Sequence, residues 1–158
     1  MRIDEKTFGK EHPEYATSLN NLGEVYRVQG KYDAAIEKYE EALRIDEATG
    51  NTELLSHSVR LNNLALAYRA QDRHEEAIEK YERSLQIAEK IIGDEHPGYA
   101  IRLNNLGGVY HYQCRYHEAI EKYEEALRIL IKFLGEDHPD TRMIKENLKS
   151  CRKEMKGK

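Results

Sequence analysis

The chain has 158 residues, of which 39% are hydrophobic and 34% charged, with a net charge of −4, 11 tyrosines and no tryptophan. That balance argues against a general binder of nucleic acid or anionic membranes, which would carry a basic excess. No apolar run approaches the roughly 18 residues of a membrane span, and no charged-then-apolar signal segment is read at the start.

Taken in order, the chain repeats itself. Leu19-Asn20-Asn21-Leu22 returns 42 residues later as Leu61-Asn62-Asn63-Leu64, and after another 42 as Leu103-Asn104-Asn105-Leu106. A degraded fourth copy stands at Lys145-Glu146-Asn147-Leu148. A fixed period of roughly 20–50 residues is the signature of a repeat architecture. Arg2-Ile3-Asp4-Glu5-Lys6-Thr7 aligns with Arg44 to Thr49 in the same frame. Residues 1–9 are therefore expected to be a partial second helix, with Ile3 and Phe8 partly uncovered.

Gly9, Gly93 and Gly135 each precede a His-Pro pair by two intervening residues: His12-Pro13, His96-Pro97 and His138-Pro139. Glycine accepts the left-handed conformation just past a helix end, and proline suits the first helical position, where its missing N–H costs nothing. Gly-x-x-His-Pro thus ends one helix and starts the next. In the second copy Thr49-Gly50-Asn51-Thr52 does this without proline.

Between these marks the chain reads as helix pairs. The first helix of the first pair spans about Pro13–Val28, with Leu19, Leu22, Gly23 and Tyr26 on one face. The second spans about Tyr32–Ala48, burying Ala35, Ile36, Tyr39 and Leu43 and exposing Glu37, Lys38, Glu40, Glu41 and Arg44. The next pairs are Ser56–Ala70 with His74–Ile91 and Pro97–Tyr112 with Tyr116–Leu134. The last helix, about Pro139–Met155, has a narrow apolar stripe of Ile144, Leu148, Cys151 and Met155 and otherwise Lys, Glu and Arg, as expected of a solvating terminal helix. One all-α domain over 1–158 follows, with repeats at about 12–50, 54–92 and 96–134 and a terminal helix at 138–155.

Leu19-x-x-Leu22-Gly23-x-x-Tyr26, then Gly30-Lys31-Tyr32, Ala35, Tyr39 and Ala42, resembles the tetratricopeptide repeat. The match recurs at Leu61, Leu64, Ala65 and Tyr68, and at Leu103, Leu106, Gly107 and Tyr110. The 42-residue length, the Gly-x-x-His-Pro connections and Leu-Asn-Asn-Leu resemble the kinesin light chain type. The departures are Leu54-Leu55, where His-Pro is missing, and Cys114, in place of the turn glycine. The resemblance implies a right-handed superhelical solenoid of antiparallel helix pairs, whose first helices line a concave peptide groove.

At 100° per residue, Asn20, Glu24 and Arg27 fall opposite the leucines. Their images are Asn62, Leu66 and Arg69; Asn104, Gly108 and His111; and Glu146, Ser150 and Lys153. The inner face is expected to carry a basic ladder beside an amide ladder that includes Asn21, Asn63, Asn105 and Asn147. Amides offer donor and acceptor to a peptide backbone, and guanidinium groups select carboxylates. The expected site is Asn20, Asn21, Arg27, Asn62, Asn63, Arg69, Asn104, Asn105, His111 and Tyr112. The competing account is that the asparagines bond neighbouring repeats and the arginines are merely solvated. Gly108, flanked by Tyr112 and Ile101, leaves room for a small apolar pocket.

No catalytic constellation, metal site or cofactor motif is read. His12, His96 and His138 lie in separate connections, and His117-Glu118-Ala119-Ile120-Glu121 lacks the second histidine of a zinc-protease helix. Cys114 and Cys151 read as reduced thiols of a cytoplasmic protein. The expectation is a non-enzymatic scaffold for a protein or peptide partner with acidic residues, without nucleic acid or membrane. The alternatives are a structural module that self-associates end to end, or a regulatory piece of a larger signalling protein.

Overall fold

The computed structural model describes residues 12–157. The expected partial helix at 1–9, with Ile3 and Phe8, lies outside the described residues. Within them the helices are α1 (Pro13–Val28), α2 (Tyr32–Ala48), α3 (Leu55–Ala70), α4 (His74–Ile92), α5 (Pro97–Tyr112), α6 (Tyr116–Leu134) and α7 (Pro139–Lys156). The expected boundaries hold to within a residue: α3 starts at Leu55 rather than Ser56, and α4 and α7 each run one residue further. No strand occurs among the described residues.

The connections work as the sequence implies, with one addition. Proline opens α1, α5 and α7, but the preceding histidine also caps the helix. Nδ1 of His12 accepts the Glu14 N–H at 3.2 Å, Nδ1 of His96 the Gly98 N–H at 2.9 Å, and Nδ1 of His138 the Asp140 N–H at 3.2 Å. An imidazole thus satisfies an orphan donor of the first turn, the task usually given to Ser, Thr, Asp or Asn. Leu54, before α3, offers no such cap.

The turns within pairs share one backbone solution. Residues 30, 72 and 114 all have positive φ, at 73° for Gly30, 58° for Asp72 and 59° for Cys114. In each turn the next N–H reaches back to the tyrosine carbonyl five residues earlier, at 2.9 Å for Lys31 to Tyr26, 3.0 Å for Arg73 to Tyr68 and 2.9 Å for Arg115 to Tyr110. The turn therefore keeps its conformation where glycine has been replaced, at a local steric cost.

The chain divides into two compact units, Met1–Ile87 and Ala88–Lys158. In the first, α1 packs on α2, and α3 packs on both. Its core includes Tyr15, Ala16, Leu19, Ala42 and Ile45. Tyr39 is fully buried against Gly23; a Cβ there would stand 2.7 Å from the ring. In the second unit α5 packs on α6, and α7 packs on both. Tyr123 lies against Gly107 in the same way, with 3.0 Å to a hypothetical Cβ. Glycine is required at these two places because an aromatic ring of the second helix occupies the room a side chain would take.

Candidate functional site

The helices read as carrying the inner face are α1 and α3 in the first unit. Asn20 and Asn63 are half-buried and bonded to each other: Nδ2 of Asn63 donates to Oδ1 of Asn20 at 3.1 Å. The second asparagine of one copy thus reaches the first of the copy before it. Asn21 is exposed and Asn62 half-buried.

The basic ladder is partly neutralised from within. Arg27 donates through Nε to Glu24 Oε2 at 2.9 Å and through Nη2 to Oε1 at 2.5 Å, and the Tyr39 hydroxyl donates to Oε2 at 3.0 Å. The Arg27 hydrogen bond holds the Glu24 carboxyl below its ordinary range, against partial burial, with Tyr39 adding to the effect. Burial, then the Glu24 charge, pushes the Tyr39 hydroxyl upward. Arg69 is different. Leu66 stands where Glu24 would be, and among the described residues Arg69, half-buried on α3, has no carboxylate partner. Leu66 also leaves the Tyr81 hydroxyl, the image of Tyr39, buried without a hydrogen-bond partner. Burial raises the pKa of Tyr81, while the charges of Arg69 and Arg27 oppose that rise.

In the second unit the corresponding helices are α5 and α7. Asn104 is buried at 8% exposure, and its Oδ1 accepts from Nδ2 of Asn147 at 2.9 Å. Asn105 is half-buried. His111 Nε2 lies 3.1 Å from Glu154 Oε2, and its ring meets Tyr116 and Tyr123 edge to face, with centroids 6.0 and 6.3 Å apart. Tyr112 is 65% exposed. A cavity of about 330 Å³ opens at Gly108, lined by His111, Tyr112, Cys114 and Glu154. The pocket expected from Gly108 and Tyr112 is there, but an imidazole, a thiol and a carboxylate line it, and Ile101 is not in its wall.

Sequence reading missed a third feature, in the first unit. Asp46 is 1% exposed and accepts from Arg60 Nη1 at 3.0 Å through Oδ1 and 2.9 Å through Oδ2, with His57 Nδ1 at 2.9 Å from Oδ2. Arg60 Nη2 continues to Thr17 Oγ1 at 3.0 Å. A cavity of about 340 Å³ adjoins the cluster, floored by Leu43, Leu61 and Leu64 and rimmed by His57, Arg44 and Lys80. Across its wall the Tyr68 hydroxyl donates to Glu40 Oε1 at 2.8 Å; burial first, then that carboxylate, pushes its pKa up to about 12. The available signal was a break in the repeat. Asp46 and His57 have Leu130 and Thr141 as their images two periods later, and a charge placed where the later copies bury Ala88 and Leu130 must have a partner.

Among the described residues no group of His, Cys, Asp or Glu could hold a metal ion, and no helix is long and apolar enough to cross a membrane. Cys114 is exposed and Cys151 buried, and neither is in a disulfide.

Helix pairs returning on a fixed period, two of them with a tyrosine seated over a glycine, define a helical repeat protein. The tetratricopeptide repeat family matches residues 1–48, 58–132 and 102–157, and the chain belongs to that family. It is similar to BtubC (BKLC) from P. vanneervenii at 28% identity and a TM-score of 0.85, covering 90% of this chain and 57% of that one. It is also similar to the nearly identical TPR-like repeats of a putative kinesin light chain from Podosopora anserina, at 28% identity and a TM-score of 0.79, covering 96% of this chain and 72% of that one. The Sgt2 TPR domain from Aspergillus fumigatus shares the fold, at 24% identity and a TM-score of 0.68 over 90% of this chain and 80% of that one. No curated protein sequence matches the chain. The kinesin light chain-like character read from the 42-residue period is thus shared with solved structures, and the architecture is a repeat solenoid. Such repeats are typically non-catalytic protein-interaction scaffolds.

Proposed function

We propose that the chain binds an extended, acidic segment of a protein partner on the faces of its first helices, within the cytoplasm. The observation that carries this reading is Arg69, half-buried with no carboxylate among the described residues, while Arg27 is held by Glu24 in the same unit. A partly desolvated guanidinium without an internal partner is suited to an external carboxylate, because charge-assisted bonds are the strong ones. Asn62 and Asn63 on the same helix supply amides for a ligand backbone. In the second unit, His111 and Tyr112 border the cavity at Gly108, which suits a ligand side chain. The bonds from Asn63 to Asn20 and from Asn147 to Asn104 support a more limited role for the amides. Half of each pair holds adjacent first helices together, and only the remaining donors and acceptors are offered outward.

The test uses a labelled peptide array that samples Asp and Glu at each position of an extended 12-mer, with the tightest binder taken forward. Arg69→Glu should weaken that peptide by roughly 10- to 150-fold, from a loss of about 1.5–3 kcal/mol, and most at low salt. Glu79→Ala and Lys80→Glu on α4 should leave binding unchanged. If no acidic peptide binds, or if the α4 controls weaken it as much as Arg69→Glu, the reading fails.

A further inference from the structure

The α7 helix occupies first-helix register but has rebuilt the face that α1 and α5 use for their partners. On α5 that face is Leu103, Leu106, Gly107 and Tyr110, packed on α6; one period later it is Lys145, Leu148, Lys149 and Arg152. At Gly107 a tyrosine ring comes within 3.0 Å of where a Cβ would be. Lys149 stands at the equivalent point, so its side chain blocks a helix approaching α7 as α6 approaches α5.

What replaces that seat is a groove of about 500 Å³ between α6 and α7. Its walls carry Lys145, Lys149, Arg152, Lys153 and Lys156, and its floor is Leu127 and Leu148. The cations recur at three- and four-residue steps, one continuous stripe on α7. The eleven steps from residue 145 to residue 156, at about 1.5 Å each, give a stripe about 16 Å long, three turns of helix. The whole of α7 has six cationic and three acidic side chains, in a chain of net −4. Lys145 pairs with Glu136 at 3.0 Å, Lys149 with Glu146 at 3.6 Å, and Arg152 with Glu124. These are exposed pairs, which cost little to exchange for another carboxylate.

We infer that this groove docks an acidic amphipathic helix of a protein partner, its carboxylates on the α7 cations and an apolar stripe on Leu127 and Leu148. Charge complementarity selects acid. The leucine floor selects a protein segment over a bare phosphate polymer, because a phosphate backbone leaves an apolar floor uncovered. The site is distinct from the first-helix faces carrying Arg69, and neither proposal depends on the other.

The experiment titrates the full chain against a fluorescein-labelled 18-residue helical peptide with Leu at three- and four-residue steps and Glu elsewhere. The comparison probes are the same peptide with Leu changed to Gln, anionic phosphatidylglycerol vesicles, and a 20-base-pair DNA duplex. The Leu/Glu peptide should bind saturably, and Lys149→Glu/Lys153→Glu should weaken it at least tenfold with helicity unchanged by circular dichroism. Lys153→Gln/Lys156→Gln should weaken it severalfold, and serves if the reversed pair unfolds. Lys132→Glu, exposed on α6 outside the groove, should have no effect. The inference is overturned if the Leu/Glu peptide does not saturate, or if the groove variants bind it like wild type. It is equally overturned if the Gln peptide, vesicles or duplex bind as tightly with the same dependence on Lys149 and Lys153. That result would make the groove a polyanion surface.

Discussion

At the same place in the repeat frame the two units hold opposite chemistry. In the first, the column is Asp46, His57 and Arg60, a buried cluster with both carboxylate oxygens engaged. In the second it is Leu130, Thr141 and Ile144, each at 0% exposure. The difference tracks the connection beside it. His138 and Pro139 fix the start of α7 through a ring-nitrogen cap, whereas α3 begins at Leu54-Leu55 without one. In the first unit Asp46 on α2 holds α3 by charge instead. The repeat therefore demands a filled column but not a particular filling. An ionic filling is costly to desolvate and becomes favourable only when every member is paired.

The largest effect should come from breaking that pairing on one side. Asp46→Ala leaves Arg60 and His57 buried without their acceptor and should destabilise the protein by about 3–5 kcal/mol in urea unfolding. Replacing the whole cluster with the second unit's residues, Asp46→Leu with His57→Thr and Arg60→Ile, should cost far less or even stabilise. If Asp46→Ala is as mild as the triple replacement, the cluster does not carry the junction.

Next in size is the seat of the tyrosines. Gly23→Ala places a Cβ 2.7 Å from the Tyr39 ring, and Gly107→Ala places one 3.0 Å from Tyr123. Overpacking costs about 1–3 kcal/mol, so both should destabilise in thermal melts, Gly23→Ala the more. An unchanged melting temperature for Gly23→Ala would mean the ring shifts freely, and the close approach is not a constraint of the frame.

The smallest effect has the opposite sign. Thr141 is fully buried and its hydroxyl has no hydrogen-bond partner. Thr141→Val removes that unmet group at nearly constant shape and should stabilise by about 1 kcal/mol. A loss of stability would show that the hydroxyl is satisfied by a bound water, and that the second unit's column is less apolar than its side chains suggest.

Sequence alone determined the period, the class and the helix ends. Leucines, glycines and tyrosines at fixed offsets report burial, and burial on a helix is periodic along the chain. Gly23 and Tyr39 could be placed on the buried faces of their helices before any coordinates because each is a local consequence of its register. Tertiary structure decided who bonds to whom. The pairs Asn63–Asn20 and Asn147–Asn104 are offset by 43 residues rather than 42, since a side chain reaches diagonally to the next helix and not along the repeat. Glu24 and Arg27 share the inner face in the sequence, with Arg27 expected to read a ligand's carboxylates, yet they satisfy each other, because a carboxylate within reach of a guanidinium binds it before any ligand arrives. The Asp46 cluster and the basic groove on α7 were hidden for the same reason. A charge in one column is a single letter until the fold brings its partners, or its empty seat, beside it.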